Sequence, residues 1–401
     1  MESIREIYKI GYGPSSSHTM GPKKAAEQFL AKNKNAHSFK VILYGSLAAT
    51  GKGHLTDRAI EEIFSEYDLK IIWKPKTFLP KHPNALKFNA FDDKNNILNE
   101  WTAYSIGGGA IIDDYSELET KTIYPHKNMA DILEWCNQNG KQFWEYVLEF
   151  EGEDIWEFVD EVWRVMLTSM KNGLKKNGVL PGTLKLPRKA QSFFVKGHSF
   201  ATPFKRRSQL FAYALAVSEE NASGGKVVAA PTCGASGVLP AVLNYFKKVY
   251  KTDKDSLLRA IATAGLIGNI VKTNASISGA EVGCQGEVGT ACAMASAAAT
   301  QLMGGTIYQV EYSAEMGIEH HLGLTCDPVA GLVQIPCIER NAFAAERAVS
   351  HNTYALMSDG RHRISFDEVV ETMYKTGIDM QSKYRETSEG GLAKFDALPR
   401  C

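Results

Sequence analysis

Between Ser38 and Lys74 the chain carries two short runs of β-branched and aromatic residues, "FKVILYG" and "LKIIWK". They alternate with stretches whose apolar residues recur at helical spacing, "GPKKAAEQFLAKN" and "LTDRAIEEIFSEY". Runs of the first kind suit half-buried strands and runs of the second suit amphipathic helices, so residues 1–127 read as a small α/β-type domain. Two glycine-rich turns interrupt it, "YGSLAATGKGH" at 44–54 and "SIGGGAIIDD" at 105–114, where the backbone can pass close to a ligand or another segment.

From Asn128 the alternation fades and long amphipathic patterns take over, beginning with "ADILEWCNQNGKQFWEYVLEFEGEDIWEFVDEVWRVMLTSMKNGLKK". "LPGTLKLPRKA" at 180–190 breaks the pattern with two prolines and a glycine, the mark of a loop. Beyond it, "VLPAVLNYFKKVY", "SLLRAIATAGLIGNIVKT", "ACAMASAAATQLM" and "CIERNAFAAERAVSHNTYALM" predict further helices whose small residues permit close packing. The expected architecture is α+β: the small N-terminal domain followed by a larger, mainly helical domain over 128–401.

Composition narrows the partners. Lys plus Arg and Asp plus Glu both number 45 among 401 residues, which leaves no excess charge to neutralise a nucleic-acid backbone or an anionic membrane. No apolar run is long enough to span a bilayer, and the N-terminus lacks the basic and apolar regions of a secretory signal. The seven cysteines, odd in number, suit a reducing compartment better than a disulfide framework, so cytoplasm is expected.

Three turns in the helical half combine glycine and cysteine: "AAPTCGASG" at 229–237, "SISGAEVGCQGEVG" at 276–289 and "EHHLGLTCDPVAGLVQIPCIERN" at 319–341. Cys284, Cys326 and Cys337 each stand at a loop or a helix start, where a thiolate is favoured. Cys136 and Cys292, inside helical patterns, read as small buried hydrophobes. No CxxC pair is present, which argues against a zinc finger or ribbon. Three thiolates have one specific further use: they hold a four-iron cluster and leave its fourth iron open as a Lewis acid. His18 in "SSSHT" and His54 in "GKGHLTD" are candidate bases, since histidine titrates near working pH. Ser15, Ser16, Ser17 and Thr19 supply hydroxyls ahead of a helix, able to hold a carboxylate or merely to cap the helix.

These motifs resemble the iron–sulfur L-serine dehydratases in their single-chain form, in which the beta and alpha segments are fused. The resemblance rests on "GYGPSSSHTMGPKKAA" (11–26), "GSLAATGKGHLTD" (45–57), "LPGTLKLPRKA" (180–190), "EENASGGKVVAAPTCGASGVLPAVL" (219–243), "KTNASISGAEVGCQGEVGTACAMA" (272–295), "EHHLGLTCDPVAGLVQIPCIERN" (319–341) and "DMQSKYRETSEGGLA" (379–393), and so runs nearly end to end. It implies that Cys284, Cys326 and Cys337 ligate a [4Fe-4S] cluster and that the terminal Cys401 caps the open iron, although the tail "AKFDALPRC" departs from the usual ending. It also implies L-serine as substrate, pyruvate and ammonia as products, and a homodimer. Either His18 or His54 then takes the Cα proton while the other orients the substrate held by Ser15 to Thr19. Asn274, Ser276 and Ser278 are expected to contact the substrate or support the first cluster cysteine, and Lys383 and Arg385 to face negative charge. Cys233 is expected near the pocket without ligating.

Three rival readings predict different behaviour. A pyridoxal-phosphate dehydratase needs a Schiff-base lysine; Lys226 is the one attractive candidate, and the cysteines are then unexplained. A cysteine-desulfidating lyase shares the helical half and differs in substrate. A non-catalytic amino-acid or oxygen sensor binds serine without forming pyruvate.

Overall fold

The computed structural model describes residues 1–115 and 121–395; Cys401 lies outside them. The expected α+β architecture is borne out. The sheet of the N-terminal part runs in the order β3-β2-β4-β5-β6, where β2 is Ser38–Tyr44, β3 Asp68–Lys74, β4 Ala85–Phe91, β5 Ile97–Gly107 and β6 Ala110–Asp113. β2 and β3 are parallel, joined through the helices Gly45–Thr50 and Thr56–Ile63; the other neighbours are antiparallel.

Alternation along β2 turns Phe39, Val41 and Leu43 inward, against Ala25, Ala26 and Phe29 of the helix Gly21–Lys32. Phe29 stacks on Phe88 with ring centroids 5.1 Å apart, and Phe39 meets Phe64 at 4.6 Å. Burying such rings supplies most of the driving force for this small core. The chain leaves β2 straight into Gly45, whose φ of +50° suits glycine. The turn carrying Ser46 and His54 therefore springs from the end of a rigid central strand.

The helical body is built around the helices Lys254–Asn274 and Thr290–Leu302, buried without a break over Ala260–Val271 and Thr290–Thr300. Their small residues set the spacing: a Cβ on Gly317 of the neighbouring helix Ile307–Glu319 would lie 2.4 Å from Ala293 Cα. Such an approach closes the bundle at the cost of tolerating no larger side chain there. The largest core also takes in Met1, Ile4, Ile7 and Tyr8, and Tyr8 donates to Ile261 O at 2.7 Å. Strand β1 (Lys9–Tyr12) pairs antiparallel with β7 (Lys226–Ala229), so one strand stands within the stretch expected to be helical. No helix among the described residues is long and apolar enough to cross a membrane.

Besides the β1–β7 pairing, two close loop contacts bring the halves together near the histidines and cysteines. A Cβ on Gly53 would lie 2.4 Å from Gly331 O, so the loop carrying His54 abuts the loop between Cys326 and Cys337. The Gly107–Gly109 turn rests on Ile277 and Ser278.

Candidate active site

The serine-rich turn folds as one wide helical turn, Ser16–Met20, leading into the helix Gly21–Lys32. Ser15 caps it by accepting from His18 N, and the side chains of Ser15, Ser16, Ser17, His18 and Thr19 are all buried. Thr19 Oγ1 donates to His54 O at 2.7 Å, which ties this turn to the second histidine's loop. The two imidazoles face each other with centroids 4.5 Å apart.

Hydrogen-bond accounting assigns their tautomers. His54 Nδ1 lies 3.0 Å from Thr50 O, an acceptor only, so Nδ1 carries the proton and Nε2 presents a lone pair. Ser46 Oγ spends its one hydrogen on Glu386 O at 2.7 Å and can only accept from His18 Nε2, 3.1 Å away. His18 is therefore protonated on Nε2 and accepts at Nδ1 from Ser17 Oγ, 2.8 Å away. Burial holds both rings neutral: His54 is pushed down to about 4 and His18 well below its ordinary value.

Glu386 completes the group, and sequence reasoning missed it. Its Oε1 is 3.6 Å from His18 Nδ1 and 3.6 Å from His54 Nε2, while Oε2 has no partner. Burial and, behind it, the Glu287 carboxylate raise the Glu386 carboxyl well above its usual range, so it is held protonated. His18, His54 and Glu386 each offer an atom within 4.8 Å of one another, a set able to bind a cation or pass a proton.

The thiols lie next door. Glu386 N donates to Cys326 O at 2.7 Å, and Cys326 N donates to Tyr384 O at 2.8 Å. Cys284 begins the turn leading into Thr290–Leu302, and Cys337 begins the helix Cys337–Met357. Burial is the main force raising all three thiols, Cys284 to about 11; Cys326 is raised further by the Glu386 and Glu287 carboxyl groups and then by Cys284 and Cys337, and Cys337 is raised further by Cys284. Arg340 points into the group; burial works against its charge, but Cys284, Cys337 and Cys326 together outweigh it and hold the guanidinium more strongly protonated. Glu287 accepts from Cys326 Sγ at 3.8 Å, and burial brings its carboxyl up to about 7. Arg340 and Glu287 also escaped sequence reasoning, although both lie inside the cysteine motifs.

The remaining expected site residues divide. Ser276 donates to Glu281 Oε2 at 2.6 Å and accepts from Ser278 N; Ser278 Oγ is buried without a partner. Asn274 ends its helix at the surface, its amide spent on Lys127 O and Ile270 O. Arg385 donates to Glu281 O, and Lys383 lies over the Tyr384 ring. Cys233 is buried, its thiol against Met20 Sδ at 3.4 Å.

Comparison with known proteins meets this geometry. Residues 56–393 match the family described as serine dehydratase alpha chain, and residues 3–62 match serine dehydratase beta chain. The chain belongs to the serine dehydratase family, with alpha and beta parts fused in one polypeptide. It is 40% identical to the L-serine dehydratase of Haemophilus influenzae, across 98% of this chain and 99% of that protein. Identity to L-serine dehydratase TdcG of Escherichia coli is 42%, with the same coverage, and to the L-serine dehydratase of Streptomyces coelicolor 40%, covering 98% of each.

Proposed function

We propose that this enzyme is an L-serine dehydratase that eliminates water from L-serine to give pyruvate and ammonia. The observation that carries the reading is the Glu386 N to Cys326 O hydrogen bond, which makes the histidine pair and the thiol group two walls of one site. The donor set fits an iron–sulfur group: the buried thiols of Cys284 and Cys326 and the half-buried thiol of Cys337, all of which resist ionisation unaided, with a half-buried arginine among them and polar atoms nearby without partners. Cys284, Cys326 and Cys337 would hold a [4Fe-4S] cluster, with Cys401 as the cap of its fourth iron in the resting enzyme. When bound, that cluster supplies Lewis acidity to the departing β-hydroxyl.

The chain's own residues handle the protons. His54 Nε2 is the lone pair free to accept the Cα proton, its ring held in place by the Nδ1–H bond to Thr50 O. His18, fixed at both nitrogens by Ser17 and Ser46, orients and does not accept. The Glu386 carboxyl lies beside His54 Nε2 and, being already protonated, does not compete with that lone pair for the Cα proton. The released aminoacrylate tautomerises and hydrolyses to pyruvate and ammonia.

The same reading carries the two-domain division near residue 127, a cytoplasmic location and a homodimeric state, the last checked by sedimentation. The function is tested by anaerobic reconstitution of the full chain with iron and sulfide, followed by a pyruvate assay on L-serine, L-threonine and L-cysteine. Turnover of serine ahead of the other two is expected. Preference for cysteine would transfer the chain to the desulfidating lyases, and serine binding by a fully loaded protein without pyruvate would favour a sensor.

A further inference from the structure

Beside the histidines lies a set of polar side chains that the protein itself does not satisfy. His82 Nε2, both ends of the Asn84 amide, Ser105 Oγ and Ser278 Oγ are buried and have no hydrogen-bond partner. Asn84 and Ser105 are 0% exposed, Ser278 2% and His82 7%. Orphaned buried polar groups are a standing cost to the fold, and several together imply something that binds there.

Their surroundings place them at the site. Pro83 O accepts from Ser46 N at 3.2 Å, and Ser46 is the residue that receives His18 Nε2. His82 is close enough to His18 for each charge to oppose the other. Ser105 N donates to Asn84 O at 2.9 Å, which holds the two residues together at the ends of β4 and β5. A Cβ on Gly21, whose N–H donates to Ser16 O, would lie 2.2 Å from Ser105 Oγ. A Cβ on Gly107 would lie 3.4 Å from Ser278 Cβ. The end of the sheet, the serine-rich turn and the Ser276–Gly279 turn thus meet around these atoms.

The donor and acceptor pattern says what fits. His82 Nδ1 accepts from Asn84 N at 3.1 Å, so its proton sits on Nε2, an unused donor. The Asn84 amide offers one acceptor and two donors, and the two hydroxyls can serve either way. The set is neutral yet rich in both senses, complementary to a group that carries a negative and a positive charge side by side. We propose that Asn84, with His82, Ser105 and Ser278, forms the subsite that reads the α-carboxylate and α-ammonium of the amino-acid substrate. This rests on the dehydratase reading for the identity of the ligand, but not for its head-group chemistry.

The test uses the cluster-reconstituted full chain with N84L, S105A and S278A, and L-alanine as a probe that keeps the head group and lacks the leaving group. The expected result is a rise of about 10- to 100-fold in KM for L-serine and in the L-alanine inhibition constant, the loss that follows removal of one buried polar partner. The turnover number should change by less than about tenfold and the cluster absorbance not at all. Ligand-free N84L should melt at or above the parent temperature, because an apolar isostere relieves the orphaned amide. A KM and inhibition constant within threefold of the parent in all three variants would overturn the proposal, and a lowered melting temperature in that case would show that the amide holds structural water. If N84L fails to fold, the two serine variants decide. If the parent binds L-alanine, loses that binding in these variants and makes no pyruvate, the subsite stands and the dehydratase reading falls.

Discussion

The contact between Gly53 and the cysteine-bearing loop can be tested with a single methyl group. In Gly53→Ala the new Cβ would lie 2.4 Å from Gly331 O, 2.6 Å from Gly331 C and 2.9 Å from Ala330 O. All three are backbone atoms, so no rotamer change relieves the overlap. Ordinary contact begins at 3.4 Å, so one loop must retreat by roughly 1 Å, a displacement that costs on the order of 10²-fold when it misplaces a reacting group. His54 is the next residue, and His54 Nε2 is the lone pair assigned to the Cα proton. Overpacking of this kind costs about 1–3 kcal/mol of stability, which a domain of this size survives. The expected outcome is a kcat/KM for L-serine lowered by about 100-fold, with far-ultraviolet dichroism and iron content near those of the parent. A kcat/KM within threefold of the parent, in a protein shown to carry its iron, would refute the claim that the two loops hold each other in register for catalysis.

Three further outcomes follow from the same geometry. His54→Gln should lower kcat by about 10²- to 10⁴-fold, the range for loss of a general base, while leaving the cluster spectrum intact; an equal or larger loss in His18→Gln alone would exchange the two roles. The base must be neutral to act, and burial lowers His54 from 6.5 to about 4, so the active form persists as pH falls through the usual histidine range. The acid limb of kcat/KM should therefore appear near pH 4, and a limb centred near 6.5 would contradict the assignment. In Gly279→Ala the new Cβ would lie 2.7 Å from Glu287 Oε2 and 3.0 Å from Cys326 Sγ; iron retention under a chelator should fall about tenfold or more with the helical signal unchanged, and unchanged retention would separate this turn from the cluster site.

Much of the fold was legible because its signals are local. The alternation in β2, the amphipathic pattern of Gly21–Lys32 and the alanine-rich central helices each declare their own burial. The β1–β7 pairing was not legible, since Lys9 and Ala229 meet only after the chain between them has folded. Within the site, His18, His54 and the three cysteines stood out as chemically distinctive residues in glycine-rich turns. Glu386 did not, because an acid in "YRETSEGG" looks like an exposed charge. Only the tertiary fold buries it, with a backbone φ of +56° that sets its carboxyl between two histidines. Asn274 shows the converse: near Cys284 in sequence, it ends a helix that carries its amide to the surface. Asn84 and Ser105 were invisible for a third reason, since an unsatisfied hydrogen bond is a property of a folded environment and not of a residue type.

The central claim is that Cys284, Cys326 and Cys337 grip a four-iron cluster with one corner left for substrate. Mössbauer spectroscopy of full-length protein, reconstituted anaerobically with iron-57, addresses it most directly. One iron in four should change its isomer shift and quadrupole splitting when L-serine is added, while the other three keep theirs. Four irons indifferent to saturating serine, or iron that binds without forming a cluster, would contradict the account.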